Sequence, residues 1–113
     1  MDRTNLTDGT GRWFDRDRAI GIDEARYHDG HNYIGHASGG QWDYETLYYT
    51  ASGVWIFCRS SQRDCSRSSY IVVDIEDAIR WLGLAEMHDA SLLAGLPEDV
   101  QKQIRAGFAS AEV

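Results

Sequence analysis

The sequence has one proline, Pro97, and two cysteines, Cys58 and Cys65, among 113 residues. So little proline excludes collagen-like and proline-rich chains. Two cysteines outside any CxxC pair exclude a disulfide-stapled scaffold and a paired-cysteine zinc site. Cys58 falls in an apolar run and is expected to be a buried thiol unrelated to Cys65. Long apolar runs are missing: none approaches the roughly 20 residues that span a bilayer. Met1 to Asn5 lack the apolar core of a secretion signal. A cytoplasmic protein with no membrane partner is the expectation. Cations are scarce too. Eleven Lys and Arg stand against 18 Asp and Glu, for a net charge of −7. That balance disfavours direct contact with a nucleic-acid backbone and suits binding to a basic surface. Catalytic fingerprints are also lacking: no GxSxG, P-loop, dinucleotide or HExxH pattern occurs. No cofactor is expected.

What is present is aromatic. Four Trp, six Tyr and three Phe sit in a chain that is 42% hydrophobic, the composition of a folded globule. The length suits one domain over residues 1–113, with the polar, Gly-containing residues 1–12 as a loose lead-in. The densest strand signal lies at 44–75. Glu45 to Thr50 and Val54 to Arg59 are β-branched and aromatic runs flanking Ala51-Ser52-Gly53, a hairpin pattern in which Gly53 takes positive φ. Alternation puts Val54, Ile56 and Cys58 on one face and Trp55, Phe57 and Arg59 on the other. The first face is expected to look into the core. Tyr70 to Ile75 forms a third run. The order predicts an antiparallel meander.

Upstream, Ala19 to Ile22 and Tyr33 to Ala37 read as short strands, Asp23 to Tyr27 as one helical turn, and Asp29-Gly30 as a tight turn. Downstream the period becomes helical. Ala78, Ile79, Trp81 and Leu82 define a helix with Asp74 or Glu76 near its N-cap and Gly83 as its stop. Ser91 to Leu93 suggest one further turn. Pro97 opens a last helix whose stripe is Val100, Ile104 and Phe108. The predicted class is α+β: an antiparallel sheet of three to five strands with C-terminal helices packed on one face.

Candidate chemistry is sparse. His28, His31 and His36, with Asp29 nearby, offer possible metal ligands for a small metal-dependent enzyme, although their spacing matches no established zinc signature. Arg59, Arg63 and Arg67 recur every four residues, a local basic patch suited to an acidic group. Asp74, Glu76, Asp77, Glu98 and Asp99 cap and precede helices, and side by side they would form a negative face that imitates a phosphate track. Trp42, Tyr44 and Trp55 are candidate anchors, because interface hot spots favour Trp, Tyr and Arg.

The runs Glu45 to Ile56, Ile75 to Leu82 and Leu96 to Val100 resemble small accessory proteins carried by phages and plasmids. Some short, acidic members of that group are anti-CRISPR inhibitors. The resemblance implies an inhibitor that occludes a nucleic-acid-binding surface of its protein target without turnover. An antitoxin-like or regulatory partner is the alternative, and a homo-oligomer is compatible with either.

Overall fold

The computed structural model describes residues 1–61 and 68–113. The α+β class holds: antiparallel strands come first and two helices follow. The meander expected from residues 44–75 is the heart of the sheet. Strand β6 (Asp43–Tyr49) pairs with β7 (Trp55–Ser61), and β7 with β8 (Ser69–Val73). Strand β3 (Ile20–Asp23) joins the other side of β6, so the spatial order is β3-β6-β7-β8. Gly53 closes the β6–β7 turn at φ 83°, donating its N–H to the Thr50 carbonyl. A left-handed residue there suits glycine because no Cβ opposes it.

Two small ribbons complete the strand set. β1 (Arg3–Asn5) pairs with β2 (Trp13–Asp15), and β4 (Arg26–His28) pairs with β5 (Tyr33–Gly35). Both correct the sequence reading. Residues 1–12 are not a loose lead-in throughout: β1 is a strand, Leu6 is buried, and the Thr7 N–H donates to the Tyr70 carbonyl. Nor is 23–27 a helical turn: Asp23 ends β3 and Arg26 begins β4. The physical reason is Glu24, whose carboxylate finds long-range donors that a local helix would not supply.

The faces of the sheet are also assigned differently. Trp55, Leu47 and Ile22 point at helix α1 (Ile75–Leu84) and helix α2 (Glu98–Ser110), with Phe57 and Val73 beside them. Ala78, Trp81 and Leu82 of α1 and Val100 and Ile104 of α2 supply the opposing side of this main core. Ile56 instead faces the N-terminal ribbon and shares a smaller core with Leu6 and Phe14; Tyr48, Val54 and Tyr70 pack against it. The Val54, Ile56 and Cys58 face is therefore the minor one. Both faces are apolar, so alternation separates them without ranking them.

Asp74 caps α1 by accepting from the Asp77 N–H, the role its position predicts. Gly83 lies inside α1 rather than ending it. The chain turns away just beyond, where Glu86 holds φ 58°. Pro97 stands directly before α2, and one 3-10 turn covers Ala90–Leu93. Gly107 marks where the helices approach closely: a Cβ there would lie 2.7 Å from Ile79 Cδ1.

Candidate functional site

The ribbon β4–β5 and the segment leading into β6 form an arm beside the start of β6, and a buried carboxylate builds it. Glu24 is 6% exposed. Its Oε1 accepts from the Ala37 N–H at 3.2 Å, the Ser38 N–H at 2.9 Å and Ser38 Oγ at 2.9 Å. Its Oε2 accepts from the Glu45 N–H at 2.7 Å. A buried carboxylate is tolerated when its lone pairs are filled in this way. The fit leaves no room at the neighbouring strand: a Cβ at Gly35 would overlap the Glu24 carboxylate.

Arg26 completes the frame. Its Nη2 donates to the carbonyls of Tyr33, Gly40 and Gln41, and its Nη1 to that of Asp43. The guanidinium carbon lies 4.5 Å from the centroid of the Tyr44 ring, a cation–π distance. The rigid fork of arginine suits this work, since one planar group collects the carbonyls of a loop that has no ladder of its own. Across the sheet, Glu45 is buried; it accepts from Trp81 Nε1 at 2.9 Å and from Arg59 Nη1 at 2.6 Å.

This frame presents aromatic rings to solvent. Tyr33 is 66% exposed, Trp42 47%, Tyr27 45% and Tyr44 36%. Tyr27 contacts the His36 ring at 4.8 Å and His28 contacts Tyr33 at 4.9 Å. A groove of about 270 Å³ runs beside Trp42, walled by Asn32, Ile34 and Gln41. The tip is set by Asp29, whose Oδ1 accepts from the N–H groups of His31 and Asn32, each at 2.8 Å. Those bonds hold its carboxyl below the usual aspartate range, the Asn32 N–H contributing most.

The residues singled out in the sequence do not converge. Trp42 and Tyr44 lie on the exposed arm. Trp55 is 5% exposed, within the main core, and cannot anchor a partner. Asp74 and Asp99 line one cleft at the far end of the sheet, beside Trp55 and Gly53. β6 has seven residues, so the two ends stand about 20 Å apart. Glu76 borders an apolar groove between the helices, and Asp77 is paired with Arg80 at 2.7 Å. Glu98 is exposed in the first turn of α2. The five acids thus belong to more than one surface. Arg59 bonds Glu45 and lies 3.6 Å from Asp43, so it serves the frame. Arg63, Arg67 and Cys65 lie outside the described residues. Cys58 is a buried free cysteine, and burial pushes its thiol pKa up.

The histidines do not gather either. His28 shares a ribbon face with Tyr33, while His36 sits on the opposite face with Tyr27. Among the described residues, no group of three His, Cys, Asp or Glu side chains could hold a metal ion. The metal-enzyme alternative therefore lacks a metal site there. Sequence reading missed Glu24, Arg26, Tyr27 and Tyr33. A signal existed in the tyrosines flanking the Asp29-Gly30 turn, since a hairpin tip exposes its flanks.

Comparison with known proteins finds no matching family model, curated sequence or solved structure.

Proposed function

We propose that this protein is a non-catalytic, protein-binding inhibitor that holds its target through the aromatic arm. The observation that carries this reading is exposed aromatic rings on an arm pinned by Glu24 and Arg26: Tyr33 and Tyr27 on opposite faces of its ribbon, and Trp42 and Tyr44 where it joins β6. Exposed Trp and Tyr on a preorganised frame bury much area at little entropic cost, which is how interface hot spots work. No helix among the described residues is long and apolar enough to cross a membrane. The reading places the protein in the cytoplasm, where the Cys58 thiol stays reduced.

The net charge of −7 favours a target with a basic surface, such as one that binds nucleic acid, and steers the encounter. The target class is that of the mobile-element inhibitors the sequence resembles. Rings anchor and acids steer, so the two contributions separate by salt. Tagged protein is incubated with lysate of its native host and washed at rising salt, and the retained proteins are identified by mass spectrometry. One nucleic-acid-binding protein captured by the wild type and lost with a Trp42→Ala, Tyr33→Ala double variant supports the reading. Equal capture by that variant contradicts it.

A further inference from the structure

The groove beside Trp42 is walled by polar side chains that the fold leaves idle. Asn32, Gln41 and Asp43 all line it. The Asn32 N–H donates to Asp29 and the Gln41 carbonyl accepts from Arg26, but those are backbone groups. Among the described residues, neither side-chain amide has a hydrogen-bond partner. Asp43 is placed in the same way. Its carbonyl accepts from Arg26, while its carboxylate stands 3.6 Å from Arg59 Nη2, too far for a hydrogen bond. Arg59 is already held by Glu45 at 2.6 Å.

The charges of the frame do not cancel. Three carboxylates, of Glu24, Glu45 and Asp43, meet two guanidiniums, of Arg26 and Arg59. One negative charge is left over, and Asp43 is the acid of the three that reaches the groove. Gly40 fixes where its carboxylate lies: a Cβ at Gly40 would stand 2.9 Å from Asp43 Oδ2. The groove therefore joins an exposed indole, an unbonded carboxylate and two unbonded amides within about 270 Å³.

We propose that this groove takes an arginine side chain of the target protein, an inference that rests on the arm being the contact surface. The guanidinium stacks on the Trp42 indole. Its fork donates to the Asp43 carboxylate and to the side-chain oxygens of Asn32 and Gln41. Arginine fits better than lysine because its five donors lie in one plane and its charge is weakly hydrated. An acidic side chain is repelled by Asp43. An apolar one strips water from the carboxylate and amides and returns no hydrogen bond. A nucleobase also pairs with amide side chains, but it brings phosphates against the spare charge of Asp43 and a net charge of −7.

The probe is a capped Gly-Arg-Gly tripeptide, titrated into the intact protein and followed by NMR, with lysine and citrulline versions beside it. Saturable shifts of the Trp42 indole N–H and of the Gly40 and Gln41 amides are expected. Citrulline keeps the shape and loses the charge, so its binding is roughly tenfold weaker. Asp43→Asn and Asn32→Ala each weaken arginine binding, and Asn32→Ala breaks no intramolecular side-chain bond. Gly40→Ala weakens it as well, by pushing the Asp43 carboxylate aside. Absence of saturable binding to the wild type overturns the proposal. Equal binding of the lysine or citrulline peptide does the same, as does unchanged arginine binding in Asp43→Asn. Target capture separates this failure from failure of the arm. Capture lost in the Trp42→Ala, Tyr33→Ala variant but unchanged in Asp43→Asn keeps the arm and overturns the arginine. Capture unchanged in the double variant overturns the arm, while arginine-peptide binding that needs Asp43 upholds the groove.

Discussion

Glu24 is the residue on which the arm depends. Its oxygens take four hydrogen bonds from three residues far along the chain. Glu24→Gln keeps the shape but replaces one acceptor oxygen with an NH₂ group that faces a donor. The mismatch leaves buried N–H groups unsatisfied and is expected to cost about 1–3 kcal/mol, read from the urea midpoint. Gly35→Ala should do comparable damage by a different route, because the added methyl overlaps the carboxylate that Gln only re-faces. At the tip, Asp29 gives a pH prediction. Its carboxyl is lowered by the Asn32 and His31 N–H groups, so the ionised form stabilises the turn. That contribution is complete above the ordinary aspartate value and is lost as pH falls through the lowered one. The amide resonances of His31 and Asn32 should move together over that acidic range, while a variant with Asp29→Ala shows no such titration.

At the scale of elements, the N-terminal ribbon is a separable layer. Its small core of Leu6, Phe14 and Ile56 lies across the sheet from the helices. Phe14→Ala should cost about 3 kcal/mol and should speed hydrogen exchange at Thr7 and Tyr70 far more than in α1 or α2. Uniform loss of protection would instead mean that the two cores unfold as one. The central hairpin, the third strand, the Asp74 cap and the Pro97 start were legible in the sequence because each is a local signal: alternation, a turn glycine, a capping carboxylate, a missing N–H. Three-residue strands carry little pattern: β5 was read within Tyr33 to Ala37, but β1, β2 and β4 were missed. Their cause is non-local, in Thr7 meeting Tyr70 and Glu24 meeting Ser38. Trp55 was read as an anchor because a tryptophan on a strand gives no sign of which layer covers it. Gly107 sits inside α2 because Ile79 needs the space it leaves, a reason that only the packing of the two helices supplies.

Across the whole molecule, chemistry is sorted by end. The arm, with Tyr27, Tyr33, Trp42 and Tyr44, occupies one end of β6, and the cleft shared by Asp74 and Asp99 occupies the other. A target that reads phosphate-like charge would engage the second end; one that reads aromatic anchors would engage the first. The candidate site was half legible on this scale, since Trp42 and Tyr44 were identified from residue type alone. Which acids stand near them depends on strand direction, and composition does not encode that. The most direct test is a calorimetric titration of the captured target with Trp42→Ala and, separately, with Asp99→Lys. The arm account predicts that Trp42→Ala weakens binding by about 2 kcal/mol or more, while Asp99→Lys changes mainly its salt dependence. Full affinity in Trp42→Ala, with binding abolished in Asp99→Lys, would contradict it and move the contact to the acidic end.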